Sequence, residues 1–198
     1  DVIAITDEVY EHLLYDGAAH VRLATLPGMA SRTVTISSAG KTFSITGFKI
    51  GWCLGPADLL EGIKRIHEFS MFAVAHALQQ AVAAALQLPP SYYDELLAFY
   101  QPRRDFTAGM LQAAGLKLAA PPLMGAFYLA ADFSDRFDGD AMAFARYLIT
   151  EVGVACIPAT AFFSEANRQG GRHLARFTFC KREETLQAAA ERLQRWRR

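Results

Sequence analysis

Two short stretches of the sequence carry acidic, basic and hydroxyl side chains from which a ligand site could be built. The first, residues 6–10, offers the carboxylate of Asp7 and the phenol of Tyr10. The second, residues 37–51, offers hydroxyl groups, glycines and two lysines, Lys41 and Lys49. A lysine amine can bond covalently to a carbonyl carbon, and glycine lets the backbone approach a ligand closely. This set of groups suits a phosphorylated aromatic aldehyde.

A strand followed by Gly40-Lys41-Thr42 also resembles the end of a P-loop, which binds nucleoside triphosphates. A P-loop requires a second glycine five positions before Gly40, so that backbone amides can wrap the phosphates. Thr35 stands at that position. We therefore disfavour a nucleoside triphosphatase.

Short apolar runs alternate with helical patterns in the first half, which predicts an α/β fold with a mainly parallel sheet. Both polar stretches follow the C-terminal end of a predicted strand, where open α/β sheets bind their ligands. We therefore expect the two stretches to meet at one edge of the sheet. Strands are predicted over residues 2–6, 33–37 and 50–54, and helices from residue 56 and over residues 76–86.

The break Leu88-Pro89-Pro90 predicts a boundary near residue 89, between a first domain of residues 1–89 and a second of residues 90–198. The second domain is expected to be a smaller α+β unit. Arg176 lies within an apolar strand there, where an unpaired guanidinium is costly, so we expect an anion beside it. Helices are predicted over residues 91–114, with an interruption near Pro102, over 140–152 and from 182; strands over 116–119, 126–131, 154–157 and 174–180, with a turn at 121–125.

Composition excludes several classes of protein. The 198 residues are 52% hydrophobic with a net charge of zero, which argues against disorder and offers no basic surface for nucleic acid or anionic membrane. No apolar run reaches the roughly 18 residues that a membrane span needs. The three cysteines have no C-x-x-C spacing and the five histidines no ligand spacing, so we predict no metal site and a reducing, cytoplasmic compartment.

The quoted motifs resemble the class I/II, fold-type-I aminotransferases that depend on pyridoxal phosphate, in the branch of the kynurenine, glutamine and methionine aminotransferases. Asp-x-x-Tyr at 7–10 precedes Ser-x-x-Lys-Thr-Phe-Ser at 38–44 and Thr-Gly-Phe-Lys-Ile-Gly-Trp at 46–52. The resemblance continues to the end of the chain, because further family motifs occur in order at 125–128, 153–158 and 176–179.

The resemblance implies a role for each candidate residue. Lys41 would hold the cofactor as an imine and then carry the proton between the substrate α-carbon and the cofactor. Asp7 would keep the pyridine nitrogen protonated, and Tyr10 would donate to the phenolic oxygen. Each has a structural alternative: a solvated loop lysine, a turn-capping carboxylate and a core tyrosine.

The resemblance also implies that Ser38 and Lys49 hold the cofactor phosphate and that Arg176 binds the substrate α-carboxylate. A structural ion pair remains the alternative for both Lys49 and Arg176. Substrate choice is less defined, since the aromatic residues of the sequence fit either a side-chain pocket or the core; they include Phe72, Phe127, Tyr128, Phe162 and Phe163.

The function implied is transfer of an amino group from an L-amino acid, such as methionine, glutamine, an aromatic amino acid or kynurenine, to a 2-oxo acid, in a homodimer. Two alternatives stay open: a cysteine-conjugate β-lyase that uses the same residues, and a non-catalytic fragment that serves as a dimerisation module. Family members carry a long segment ahead of the Asp-x-x-Tyr motif. We therefore expect the chain to be the C-terminal portion of a longer enzyme and to be inactive as 198 residues alone.

Overall fold

The computed structural model describes residues 2–119 and 123–196, which form two compact units, Asp1–Leu97 and Ala98–Arg198. The predicted boundary at residue 89 lies just before the helix α4 (Pro90–Ala113), within which the two units divide, so the domain limits stay a prediction. The first unit contains β1 (Ala4–Asp7), β2 (Thr33–Ser38), α1 (Ala39–Thr42), β3 (Gly51–Leu54), α2 (Ala57–Ser70), α3 (His76–Ala85) and the start of α4 (Pro90–Ala113). The second contains the rest of α4, then β4 (Lys117–Leu118), β5 (Tyr128–Asp132), α5 (Ala141–Tyr147), β6 (Ile157–Pro158), β7 (Leu174–Thr178) and α6 (Glu183–Trp196).

The first unit is built on a three-stranded sheet in the order β1-β2-β3. The β1 and β2 strands are parallel, as predicted, with Asp7 opposite Ile36. The β2 and β3 strands are antiparallel, with Ser38 opposite Gly51. The connection between them, residues 39–50, contains no long crossover helix of the kind that parallel neighbours require. The α/β class is therefore confirmed, with one parallel and one antiparallel pairing.

The second unit has a four-stranded sheet in the order β4-β5-β7-β6, with antiparallel pairing throughout. Asp140 is the N-cap of α5, because its Oδ1 accepts a hydrogen bond from the Ala143 amide at 2.8 Å. A π-helical turn, Leu148–Val152, continues it and ends at Gly153, whose φ of 75° favours glycine. This unit is the α+β arrangement that the sequence predicts.

Two sequence predictions in the second half differ from the structure. The α4 helix runs through Pro102 without the expected interruption. Proline removes one helical hydrogen bond, here the one that would reach the Ala98 carbonyl. The Arg103 side chain donates to the neighbouring Phe99 carbonyl at 2.7 Å. The strand predicted over 154–157 forms only at Ile157–Pro158. The turn predicted at 121–125 lies partly outside the described residues.

Candidate cofactor site

Lys41 lies in the single helical turn α1, directly after β2. Ser38 begins this turn, since its Oγ accepts a hydrogen bond from the Gly40 amide at 3.4 Å. Glycine is required at position 51 on the neighbouring strand, because a Cβ there would lie 2.9 Å from the Ser37 carbonyl oxygen. The β2 and β3 backbones are therefore packed closely just before the lysine-bearing turn, and Lys41 itself is half-buried.

Asp7 and Glu8 are adjacent carboxylates with opposite environments. Asp7 ends β1, is exposed, and accepts a hydrogen bond from the Val9 amide at 3.2 Å. This contact is the turn-capping role considered as its alternative, and it leaves the side chain at the surface. Glu8 is buried and bonds to Thr6 Oγ1 at 2.9 Å and to His20 Nε2 at 2.8 Å. Burial raises the pKa of Glu8, but these hydrogen bonds outweigh it and hold the pKa below its usual value.

The structure brings the two polar stretches together, as the sequence predicts. Lys41 Nζ lies 5.9 Å from the centroid of the Tyr10 ring. Tyr10 is half-buried, so it is not the core residue considered as its alternative. An amine and a phenol are therefore neighbours at the edge of the sheet where β1 and β2 end.

Ser38 and Lys49 lie on the two sides of the same hairpin. Ser38 ends β2 opposite Gly51, and Lys49 precedes Gly51 by two residues. Lys49 is exposed and has a φ of 56°, a backbone conformation that costs a non-glycine residue free energy. Within residues 2–119 and 123–196 it forms no ion pair, so the paired structural lysine considered as its alternative is not what this part of the chain shows.

Arg176 belongs to β7 in the second unit, where its guanidinium lies between two aromatic rings. Its Cζ is 4.1 Å from the centroid of Tyr128 and 4.3 Å from that of Phe162. The Nε atom is buried without a hydrogen-bond partner. The sequence predicts an anion here, but no carboxylate among the described residues pairs with Arg176, because ring faces stabilise the cation instead. The guanidinium keeps donors for a carboxylate ligand.

The aromatic residues considered for a substrate pocket divide between core and surface. Phe127 is buried in the second unit, whereas Phe72 is largely exposed. Phe162 is partly exposed and covers Arg176 together with Tyr128. The sequence suggests both rings for a substrate pocket, but nothing in the spacing of residues 128, 162 and 176 indicates their contact with the guanidinium.

The first-unit groups fit a phosphorylated pyridine aldehyde. A half-buried amine stands beside a phenol, and an exposed carboxylate ends the adjacent strand. Lys49 lies two residues before Gly51, which pairs with Ser38, so this hairpin offers a cation and a hydroxyl, the groups that bind a phosphate. No cluster of three or more His, Cys, Asp or Glu side chains in the described ranges could hold a metal ion. Over the same ranges, no helix combines the length and apolar character that a membrane span needs.

Comparison with known proteins agrees with this chemistry. The family model described as aminotransferase class I and II matches residues 1–193. The kynurenine–oxoglutarate transaminase of Dictyostelium discoideum is 42% identical over 207 residues, which cover 96% of this chain and 47% of the relative.

Solved structures give the same result. The N-succinyldiaminopimelate aminotransferase of Mycobacterium tuberculosis superposes with a TM-score of 0.91 at 41% identity, over 98% of this chain and 50% of that one. An Escherichia coli protein, reported with a methionine aminotransferase function, has a TM-score of 0.88 at 35% identity, over 98% and 49% of the two chains. The chain thus spans about half the length of the relatives it matches. It belongs to the class I and II aminotransferases.

Proposed function

We propose that this chain carries the cofactor lysine and the carboxylate-binding arginine of a pyridoxal-phosphate-dependent aminotransferase, which moves an amino group from an L-amino acid to a 2-oxo acid. The observation that carries the proposal is the half-buried amine of Lys41, 5.9 Å from the Tyr10 ring. Asp7 ends the strand that leads into the Tyr10 segment, so three candidate groups come from two adjacent strand ends.

When bound, pyridoxal phosphate supplies an electron-withdrawing ring that stabilises negative charge at the substrate α-carbon. The protein's own groups hold the reactants and move the proton. Lys41 Nζ would hold the cofactor through its aldehyde carbon and, once free, would carry the α-proton. The Asp7 carboxylate would pair with the ring nitrogen, and the Tyr10 hydroxyl would donate to the phenolic oxygen. Ser38 and Lys49 would bind the phosphate.

Arg176 binds the substrate α-carboxylate in this proposal. The rings of Tyr128 and Phe162 contact the faces of the guanidinium and leave its edge for in-plane hydrogen bonds. A carboxylate accepts two such bonds from one guanidinium edge, which lysine cannot reproduce. The relatives named above act on kynurenine, N-succinyldiaminopimelate or methionine, so the proposed donor class is broad.

We also propose that the active form is a homodimer. The end of α2 and the residues after it expose large apolar side chains, among them Ile66, Phe69, Met71 and Phe72. A patch of this kind is typical of an interaction surface, and a second copy of the chain is its proposed partner. A cytoplasmic location is proposed from the free state of Cys53, Cys156 and Cys180.

Borohydride trapping tests the central proposal. The complete protein encoded by the gene is mixed with pyridoxal phosphate, reduced, digested and mapped by mass spectrometry. We expect the label on Lys41, and we expect Lys41→Ala to lower transamination by about a thousandfold or more, because the covalent link and the proton carrier are lost together. Lys64→Ala removes an exposed lysine from α2 and is the matched control. Undiminished transamination by Lys41→Ala would overturn the proposal.

Arg176 is tested by replacement with lysine, which keeps the charge. We expect Arg176→Lys to raise the KM for the amino acid roughly ten- to a hundredfold, since paired hydrogen bonds to the carboxylate are lost. Label on Lys41 should persist. Arg172→Lys is the control, because Arg172 is exposed in the same region of the chain. An unchanged KM in Arg176→Lys would contradict the assignment.

A further inference from the structure

The short helix that bears Lys41 cannot satisfy its own carbonyl groups. A single turn leaves its last four carbonyls without intrahelical partners, and buried carbonyls require partners from elsewhere. Two are bonded by the backbone amides that follow and one by a hydroxyl in the same loop. The pairs are Phe43 N to Ala39 O (3.2 Å), Ser44 N to Lys41 O (3.2 Å) and Thr46 Oγ1 to Gly40 O (2.8 Å).

The fourth carbonyl, that of Thr42, is bonded from a distant part of the chain. The Tyr92 hydroxyl, fifty positions along the sequence, donates to Thr42 O at 2.8 Å. Thr42 is 4% exposed, so its surroundings offer little water to replace this donor. The Tyr92 ring also stacks on Phe43, with centroids 5.7 Å apart and planes inclined by 28°. One side chain thus contacts both residues that follow Lys41.

The same turn of α4 also contacts the chain two residues after Tyr10. Tyr93, the next residue, packs its ring on His12 with centroids 4.5 Å apart. His12 lies two residues after Tyr10, the phenol that faces Lys41. Neighbouring tyrosines at the start of α4 therefore contact the two segments that carry the amine and the phenol.

The backbone after the lysine-bearing turn needs external support. Ser44 has a φ of 55°, a conformation that costs a non-glycine residue free energy and persists only where neighbouring contacts impose it. Phe43, just before it, packs on the small apolar cluster of Ala39, Ile50 and Val82. Loss of the Tyr92 donor would leave Thr42 O unpaired and let this end of the turn relax, which would change the position of Lys41 relative to Tyr10.

We propose that Tyr92 is a positioning residue for Lys41: its hydroxyl holds the C-terminal end of the lysine-bearing turn, and its ring holds Phe43. The inference rests on the proposed function for the role of Lys41. It assigns to the start of α4 a part in orienting the reactive amine, through the contacts of Tyr92 with Thr42 and Phe43.

Tyr92→Phe tests the proposal, because it removes the hydroxyl and keeps the ring. Tyr93→Phe is the matched control, since the Tyr93 hydroxyl has no hydrogen bond to any residue in the described ranges. Two measurements are made on the complete protein: hydrogen exchange of the Phe43 and Ser44 amides without added cofactor, and the pH dependence of absorbance with pyridoxal phosphate bound. Borohydride mapping of the wild type establishes separately whether Lys41 carries the cofactor.

We expect Tyr92→Phe to speed exchange at Phe43 and Ser44 roughly five- to thirtyfold, from the loss of one donor to a buried carbonyl. We also expect it to shift the midpoint of the pH titration of absorbance, with Tyr93→Phe close to wild type in both measurements. A purely structural role would lower the melting temperature of Tyr92→Phe and leave the titration unchanged, which would overturn the proposal. Equal effects of the two variants would overturn it as well. Absence of label on Lys41 in the wild type would instead reject the proposed function, while the exchange rates still report whether Tyr92 holds the turn.

Discussion

The two units of the chain bury their apolar side chains to very different extents. In the first unit, α2 has no buried residue, and Phe69 and Phe72 near its end are 91% and 81% exposed. In the second unit, α5, its π-helical extension and α6 each place apolar residues in a closed core. Phe133 and Phe144 stack there with centroids 4.0 Å apart, and both are fully buried.

This difference shows that fold stability and the candidate site depend on different surfaces. The second unit has its own core of fully buried side chains. The first unit holds the lysine-bearing turn over a small cluster and leaves the apolar side of α2 uncovered. We therefore expect substitutions in the second unit to act mainly on unfolding, and those in the first to act mainly on cofactor chemistry or association.

The largest expected effect is on the core of the second unit. Phe144→Ala should lower the free energy of unfolding by about 3–5 kcal/mol, because a fully buried ring is replaced by a cavity. Phe69→Ala, its counterpart in the first unit, should stay within about 0.5 kcal/mol of wild type at concentrations where the chain is monomeric. Urea unfolding followed by circular dichroism measures both. Similar losses in the two variants would contradict the contrast between the units.

Thiol reactivity provides a second comparison. Burial raises the pKa of the Cys156 thiol in the second unit to about 11. At pH 8 its thiolate should be roughly a hundredfold scarcer than that of an ordinary cysteine, with a matching decrease in reaction rate. Cys53 in the first unit is half-buried and should react faster. Alkylation followed by peptide mass spectrometry gives each rate, and Cys156 in urea serves as the control. Equal native rates would show that the second unit opens readily.

The adjacent carboxylates of the first unit are expected to have different roles, Glu8 in stability and Asp7 in cofactor chemistry. Glu8→Gln should cost about 1–2 kcal/mol of unfolding free energy, since the buried carboxylate loses its charged bond to His20. Asp7→Asn keeps an acceptor for the Val9 amide and should change stability little, while strongly reducing transamination. Unfolding curves and activity assays on both variants check this, and the reverse pattern would mean that Glu8 is the functional acid.

The smallest effect concerns acid stability. The folded-state pKa of Glu8 lies below its usual value, because its hydrogen bonds to His20 and Thr6 outweigh burial, which acts in the opposite direction. The stability that the Glu8 carboxylate adds is therefore present above the usual pKa, which applies to the unfolded chain. It is lost as the pH falls through the lower, folded-state pKa. We expect the stability difference between wild type and Glu8→Gln to shrink as the pH falls from about 5 to about 3, because carboxyl groups in proteins typically titrate in roughly this range. Urea unfolding at several pH values tests this, and parallel curves would exclude the effect.

Periodicity and punctuation predicted most elements of both units. The strand predicted over 33–37 is observed as Thr33–Ser38. The helix predicted over 140–152 has Asp140 as its N-cap and Gly153 as its C-cap, because capping preferences act locally. Pro102 is the counterexample, since the helix continues through it where the local rule predicts an interruption. The antiparallel pairing of β2 with β3 likewise depends on the path of residues 39–50, which strand propensity does not specify.

The chemical groups of the candidate site were determined by the sequence alone: an amine at Lys41, a carboxylate at Asp7 and a guanidinium at Arg176, each placed by a motif. Their surroundings were decided only by the tertiary structure. Rings at positions 128 and 162 flank Arg176 where an anion was expected, and a hydroxyl from position 92 holds the turn of Lys41. The physical reason is that the chemistry of a side chain follows directly from its residue type, which the sequence states. A contact with a residue fifty positions away exists only in the folded chain.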